Sequence, residues 1–158
     1  MNLLHTADMV VHEGVAEAEA GRAAPLAALA AAARALAEAG LAPVITWGPG
    51  EEELAKRCAS AVPGAFLSPP TSIDQLAALM RRARLTVCNN TGPMHLSVAI
   101  GTPTLALFLR MEVERWGHPF PPHRMLDLTG APDACGDAAR AARWFARAVA
   151  ADRARASP

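Results

Sequence analysis

Cysteine is scarce in this sequence, and its spacing excludes the common structural uses of the residue. The three cysteines, Cys58, Cys88 and Cys135, are widely separated and form no C-x-x-C pair. An odd number of such cysteines argues against a disulfide framework and fits a reducing cytoplasm. The histidines form no tight H-x-x-x-H or H-x-H set, so we expect no metal site and no cofactor.

Net charge is absent as well, because 15 Lys and Arg residues balance 15 Asp and Glu residues. A chain without excess positive charge offers no electrostatic surface for nucleic acid or for an anionic membrane. We therefore expect the partner to be a small molecule or another protein, with no nucleic acid and at most peripheral contact with a membrane.

Long uninterrupted apolar runs are also missing. The first 14 residues, MNLLHTADMVVHEG, have no basic leading region and are interrupted by Asp8 and His12, which makes a poor signal peptide. The longest apolar stretch, residues 25–45, carries Arg34 and Glu38 and falls short of the ~20 apolar residues that cross a bilayer. We expect a cytoplasmic protein of one domain, because 158 residues suffice for one core but not for two ordinary domains.

What the sequence does contain is a regular alternation of strand-like and helix-like segments. Helices are predicted from Pro25 to Ala39, from about Glu51, from Ser72 to about Ala83, from Pro93 to Ile100 and from Cys135 to Val149, and strands over Ala42–Trp47, Ala65–Ser68, Arg84–Cys88, Thr104–Phe108 and Met125–Leu128. Such alternation is typical of a parallel sheet covered by helices on both faces, so the predicted fold class is doubly wound α/β. Residues 7–24 show no clean period, residues 109–122 are loop-like, and residues 151–158 are predicted to be frayed.

Polar residues lie between a predicted strand and a predicted helix in the segment NNTGPMHLSVAIGTPTLALF, Asn89–Phe108. Pro93 suits the first turn of a helix, and free backbone N–H groups and the positive end of the helix dipole face outward there, which is anion-binding geometry. Gly92 is expected to be required, either because a Cβ would block a phosphate or because its backbone angle suits only glycine. We predict that this turn and the turn Gly48–Glu51 lie at the same sheet edge, where they could share one site.

These segments resemble glycosyltransferase family nine, the ADP-heptose:lipopolysaccharide heptosyltransferases. Asn89–Phe108 is similar to the family's Asp-Ser/Thr-Gly-x-x-His-Leu-x-x-x-x-Gly-x-Pro segment. The segment WGPGEEELAKR (47–57) is similar to its Gly-Gly/Trp-Gly-x-x-Glu segment. Residues 71–92 are similar to the family's helix and strand that lead into the first of these segments. The segment from Arg22 to Gly40 resembles the family's Lys-x-Trp-Pro helix, with Arg22 where the lysine would stand and Pro25 where the proline would stand. The resemblance covers roughly residues 22–108, with a weaker match of RWGHP at 115–119.

The resemblance implies a Rossmann-like fold equivalent to the C-terminal half of a GT-B glycosyltransferase, a cytoplasmic enzyme of lipopolysaccharide biosynthesis. Residues 1–158 would form one nucleotide-sugar-binding domain, with 1–21 and 151–158 poorly assigned, and the partner would be an N-terminal Rossmann-like domain or chain. The family's catalytic base is an aspartate of that N-terminal domain. No catalytic residue is matched in this sequence, and the isolated chain is expected to be inactive.

The resemblance also implies a set of substrate-binding residues. The donor diphosphate would be held by the helix start, the ribose or base hydroxyls by a first-turn acid, and phosphate charge by an arginine, whose planar fork replaces the family's lysine. Asn90 replaces the family's acidic residue and can still hydrogen-bond sugar hydroxyls. The residues concerned are Thr91, Gly92, Pro93, Met94 and His95 for the diphosphate, Glu51 for the hydroxyls, Arg22 for phosphate charge and Asn90 for the sugar.

Structural interpretations of the same residues stay open. His95 could be a core histidine bonded to a neighbouring strand, and Glu51 could simply complement the helix dipole. Arg22 could be a solvated arginine, and the tryptophans Trp47, Trp116 and Trp144 are interpreted as packing residues. Asn90 and the loop LRMEV (109–113), which departs from the family's Gly-Pro-Thr-like loop, favour a stand-alone non-catalytic module. A third hypothesis is an unrelated flavodoxin-like domain that uses the same turn for another phosphate ligand.

Overall fold

A computed structural model describes the backbone of residues 9–13, 23–110 and 113–156, and side chains within residues 26–110 and 113–156. The elements in chain order are β1 (Met9–Glu13), α1 (Ala23–Glu38), β2 (Pro43–Trp47), α2 (Glu52–Ala61), β3 (Phe66–Leu67), α3 (Ile73–Arg82), β4 (Leu85–Asn89), α4 (Gly92–Ala99), β5 (Thr104–Phe108), α5 (Val113–Trp116), β6 (Arg124–Asp127) and α6 (Ala134–Ala156). Within these residues, no helix is both long enough and apolar enough to cross a membrane.

The strands of the described residues form one parallel sheet in the order β3-β2-β1-β4-β5-β6. The chain moves outward from β1 to β3 and then returns to β4 on the other side of β1. This reversal is the topological switch point of a doubly wound sheet, and the strand order is that of a Rossmann fold. The predicted fold class is therefore confirmed.

Side chains of alternate strand residues pack on opposite faces of the sheet. Leu105 and Leu107 of β5 pack in the cluster that includes α1 and α6, whereas Ala106 and Phe108 pack with Met94 of α4. Each fully buried leucine or phenylalanine contributes about 1.5–3 kcal/mol of hydrophobic free energy. The strand ends that precede the polar turns are thus held firmly from both faces.

Local signals explain where the helices beside those turns begin and end. Ser72 caps α3 in a capping box, since its Oγ accepts from the Gln75 N–H at 3.2 Å and the Gln75 side chain accepts from the Ser72 N–H at 2.9 Å. Pro93 lies in the first turn of α4. That helix ends before Gly101, whose φ of 80° lies in the left-handed region that glycine adopts without strain.

Three elements differ from the sequence prediction. No strand is predicted within residues 7–24, yet Met9–Glu13 forms β1 in the middle of the sheet. Its apolar run of three residues is too short to indicate a strand, and its stability comes from pairing with β2 and β4 on both sides. The predicted loop at 109–122 contains the single helical turn α5.

The prediction of a frayed tail is wrong for residues 151–156, which continue α6. Alanine and arginine have high helix propensity, and Asp152 pairs with Arg155 one turn later. The remaining tail residues, 157 and 158, lie outside the described residues.

Candidate functional site

Two turns lie at the carboxyl edge of the sheet, on either side of β1. Gly48–Glu51 connects β2 to α2, and Asn90 with Thr91 connects β4 to α4. Both preceding strands run parallel to β1 and pair with it directly. The predicted placement of the turns at one sheet edge is confirmed. Doubly wound sheets bind their ligands at this edge, beside the switch point.

Thr91 is the N-cap residue of α4, but its hydroxyl does not cap the helix. Its backbone is extended, with φ −144° and ψ 175°, and its side chain makes no capping hydrogen bond among the described residues. The Thr91 Oγ1 lies 3.5 Å from the Asn89 carbonyl oxygen, which is the outer limit for a hydrogen bond. The hydroxyl is therefore only weakly engaged and can turn to a ligand.

The first turn of α4 offers fewer free amides than a generic helix start. Pro93 has no N–H, and the Met94 N–H donates to the Thr91 carbonyl at 3.0 Å. Met94 itself is fully buried, and its side chain packs with Cys88, Ala106 and Phe108. Met94 thus supports the turn from the core, and its side chain cannot reach a ligand at the surface.

Gly92 lies at the exposed start of α4, with an ordinary backbone conformation. Its φ is outside the left-handed region, and a Cβ added there would meet no atom of the described residues within 4 Å. The expectation that its backbone angle suits only glycine is therefore wrong. What stays a prediction is the other reason for glycine here, which is that the missing side chain lets a ligand approach the main chain closely.

His95 is half-buried and is bonded to a second histidine from a distant segment. Its Nδ1 lies 2.8 Å from the Nε2 of His118, and the two rings meet edge to face at a centroid distance of 5.0 Å. Burial lowers the pKa of His95, and repulsion by His118 lowers it further. The interpretation of His95 as a core histidine bonded to a neighbouring strand is wrong, because its partner lies in the loop between α5 and β6.

Glu51 closes its own turn. It is 8% exposed, and its Oε2 accepts a hydrogen bond from the Gly48 N–H at 2.7 Å. A Cβ at Gly48 would lie 3.0 Å from that oxygen, and Gly50 has a left-handed φ of 82°. The carboxylate therefore shapes the turn Gly48–Glu51, and its predicted contact with ribose or base hydroxyls stays a prediction.

The remaining predicted site residues are placed less fully. Asn90 is half-buried in the turn before α4. Arg22 lies outside the described residues, so its role in binding phosphate charge stays a prediction. Of the tryptophans, Trp47 packs as expected and donates its Nε1–H to the Ser68 carbonyl at 3.0 Å. Trp116 and Trp144 are 40% and 53% exposed, so they are not core residues.

Two further polar side chains lie at the same edge, Asn89 at the start of the predicted polar turn and Ser68, which sequence reasoning missed. Asn89 ends β4 and Ser68 follows β3, and both are buried. The Asn89 Oδ1 and the Ser68 Oγ have no hydrogen-bond partner among the described residues. An unpaired buried polar atom costs about 1–3 kcal/mol, so a ligand hydroxyl or water that reached either atom would relieve that cost. In the sequence, the position of Asn89 at the start of the polar turn is the one sign that its side chain lies at the site, and Ser68 has no such sign.

Two cavities among the described residues lie at the opposite edge of the sheet. One, of about 720 Å³, lies between the ends of α1 and α6 and includes Leu41 and Leu85. The other, of about 570 Å³, lies between α6 and the loop that includes Pro122. Neither borders the two polar turns, and doubly wound sheets bind ligands at the carboxyl edge. The turns therefore define the candidate site better than the cavities do.

The strand order and the two turns at the switch point define a Rossmann-like α/β domain. Residues 24–130 match the family model described as glycosyltransferase family 9 (heptosyltransferase). This match includes both turns and more than half of the chain. The chain therefore belongs to glycosyltransferase family 9, and the resemblance noted in the sequence is confirmed.

Solved heptosyltransferases have the same fold. E. coli heptosyltransferase WaaC with ADP matches with a TM-score of 0.71 and 22% identity, over 91% of this chain and 45% of that chain. E. coli ADP-heptose lipopolysaccharide heptosyltransferase II matches with a TM-score of 0.74 and 16% identity, over 94% and 48%. A family 9 glycosyl transferase from Veillonella parvula matches with a TM-score of 0.68 and 18% identity, over 90% of this chain and 46% of that chain. This chain thus spans less than half the length of these proteins. No curated protein sequence matches it.

Proposed function

We propose that this chain is the donor-binding domain of a heptosyltransferase-like glycosyltransferase, which binds a nucleotide-diphosphate sugar of the ADP-heptose kind. The observation that carries this proposal is the turn from β4 into α4, which lies at the switch point and within the segment that matches family 9. A solved structural relative, E. coli WaaC, contains ADP. The domain would comprise residues 1–158 and would function with an N-terminal Rossmann-like domain or chain.

The turn supplies three kinds of group to a diphosphate. The Gly92 amide and the α4 dipole favour negative charge, the Thr91 hydroxyl is a short donor, and His95 carries a ring nitrogen that His118 does not occupy. Arg22 would add charge from the segment before α1, and Asn90 would bond sugar hydroxyls. Glu51, whose carboxylate is already held in place by Gly48, would accept from hydroxyls of the nucleoside.

In the proposed transfer, an acceptor hydroxyl oxygen forms a bond to the anomeric carbon of the donor sugar. The bond from that carbon to the diphosphate oxygen breaks, and the diphosphate leaves with the electron pair. Groups at the helix start stabilise the growing negative charge. The acceptor proton goes to a base, which by family resemblance belongs to the N-terminal domain. The acceptor would be of lipopolysaccharide type, and the enzyme would work in the cytoplasm.

Titration of the chain with ADP, UDP and GDP by calorimetry tests the proposal. We expect saturable binding, strongest for ADP. Thr91→Ala should weaken binding by about fivefold, the worth of one hydrogen bond of about 1 kcal/mol. Absence of binding by all three nucleotides would contradict the proposal.

A second candidate function is a non-catalytic binding or structural module derived from the same family. Asn90 favours it, because an uncharged amide replaces the family's acid, and so does the loop at 109–113. Nucleotide binding without transfer in a preparation that includes the N-terminal half would support this alternative. The third hypothesis, an unrelated flavodoxin-like domain, is excluded by membership of family 9.

A further inference from the structure

His118, in the loop between α5 and β6, contacts the candidate site through His95. Its Nε2 lies 2.8 Å from the Nδ1 of His95, across 23 residues of sequence. Phe120 supports the ring of His118 edge-on at a centroid distance of 6.1 Å, and it packs against His123 at 5.3 Å. Sequence spacing gives no sign of this contact, because the two histidines lie in different segments.

The hydrogen bond decides what His95 can offer a ligand. Because its Nδ1 is occupied by His118, only its Nε2 remains for a diphosphate. If His118 donates, the Nε2 of neutral His95 carries the proton and is a donor to phosphate oxygen. If the bond runs the other way, that nitrogen is an acceptor and disfavours an anion. One added proton makes the Nε2 a donor in either case and gives the pair a positive charge.

The positive charge on this histidine pair matters because the segment around His95 contains no other side chain that can carry one. Between Leu85 and Gly101, His95 is the only side chain that can become positive. We propose that His118 is a positioning residue of the diphosphate site, which orients His95 through its Nδ1 so that the Nε2–H of His95 meets the diphosphate, with uptake of a proton on binding. This inference rests on the proposed function.

The charged and titratable groups around His95 and His118 determine whether the two rings take up a proton before or after a ligand binds. His123, before β6, also has a lowered pKa, first through burial and then through repulsion by His118. On α5, Glu114 and Arg115 are exposed, and Arg115 lies over the ring of Trp116. On β6, Arg124 lies over the ring of Trp144 and Asp127 is exposed, while α4 has no charged residue besides His95. Burial of His95 and repulsion by His118 lower the pKa of His95 and so disfavour its protonated form in the free chain, and a bound anion favours that form.

The sign of the pH dependence follows from linkage. Since an anion stabilises the protonated pair, the complex binds more protons than the free chain, and affinity rises as pH falls. ADP-glucose is a suitable probe, because its diphosphate is esterified at both ends and keeps its charge between about pH 8 and about pH 5.5, the range in which histidine titrates. We expect its affinity to increase by up to about tenfold per pH unit at the steepest point, with uptake of up to one proton.

Three variants separate positioning from general packing. At about pH 8, His118→Phe should weaken ADP-glucose binding about fivefold, the effect of one lost hydrogen bond, whereas His118→Gln should restore most of it because its amide can donate to the Nδ1 of His95. In both variants, the pH at which affinity begins to rise should move upward, since repulsion between the rings is gone. His123→Gln, from the same loop, is the matched control and should keep the parent affinity at about pH 8.

Calorimetry in two buffers of different ionisation enthalpy measures both the affinity and the proton uptake, and circular dichroism checks the fold of each variant. The proposal is overturned if His118→Phe has the parent's affinity and pH profile, or if His123→Gln weakens binding as much as His118→Phe. If His118→Phe does not fold, His118→Gln alone tests the proposal. An unchanged pH for the onset of the rise in affinity in that variant then overturns it. A parent chain that binds no nucleotide at any pH refutes the proposed function too, whereas binding without proton uptake refutes only this inference.

Discussion

At the residue scale, Gly92 gives the sharpest test of the turn before α4. Its φ is ordinary and a Cβ there would have open space among the described residues, so Gly92→Val should keep the circular dichroism spectrum of the parent. A valine side chain would nevertheless cover the amide that a phosphate must approach. We expect Gly92→Val to abolish binding of ADP in calorimetry. Ala99→Val, at the exposed other end of the same helix, is the matched control and should bind as the parent does.

Glu51 is expected to contribute to stability independently of any ligand. Glu51→Ala leaves the Gly48 N–H without its carboxylate acceptor and should lower the free energy of unfolding by about 1–3 kcal/mol. Glu52→Ala removes the neighbouring exposed acid, which pairs with Lys56 at 3.1 Å, and should change the free energy of unfolding by at most about 0.5 kcal/mol. Urea denaturation measures the change in the free energy of unfolding for both variants. Equal effects of the two substitutions would contradict the structural role of Glu51.

At this scale, the position of Pro93 is predictable from the sequence, because its fixed φ suits the first turn of a helix. Met94 was expected near the ligand, but helix periodicity directs its side chain into the core. The His95–His118 contact could not be predicted, since it depends on how the loop between α5 and β6 folds back onto α4.

At the element scale, the capping box of α3 offers a test of local stability away from the site. Ser72→Ala removes the acceptor of the Gln75 N–H and should lower the free energy of unfolding by about 1 kcal/mol. Ser60→Ala is the matched control, because Ser60 is an exposed serine near the end of α2 whose hydroxyl donates to the Arg57 carbonyl within its own helix. It should change stability by at most about 0.5 kcal/mol. Equal losses in urea denaturation would show that the capping box does not stabilise α3.

Elements with strong local signals were predictable, and those that depend on neighbours were not. The strands at 43–47, 85–89 and 104–108 have apolar runs bounded by turn residues, and α3 has its capping box. β1 has only three apolar residues, and it is a strand because two neighbours pair with it. The extension of α6 to Ala156 follows from alanine and arginine propensity, which outweighs the usual fraying of a terminus.

At the scale of the whole molecule, the proposed function makes this sheet one half of a cleft, whose other half would be the N-terminal domain. The chain spans less than half the length of its structural relatives, and no residue in it matches the family's catalytic base. We expect the purified chain to transfer no sugar from ADP-heptose or another nucleotide sugar to an acceptor, since by family resemblance the base that takes the acceptor proton belongs to the N-terminal domain. Donor-dependent glycosylation by the chain alone, measured by mass spectrometry of the acceptor, would show that the chain contains its own catalytic base.

The most direct test of the central claim is to map where ADP binds on this chain by amide chemical shifts in a 15N-labelled sample. Bound diphosphate at the start of α4 should shift the amides of Thr91, Gly92 and His95 most strongly, followed by those of Gly48 and Glu51 across β1. Amides facing the 720 Å³ cavity between α1 and α6 should hardly change. Saturable shifts centred on α4 are the predicted result. Shifts confined to the opposite edge of the sheet, or no saturable shift with ADP, would contradict it.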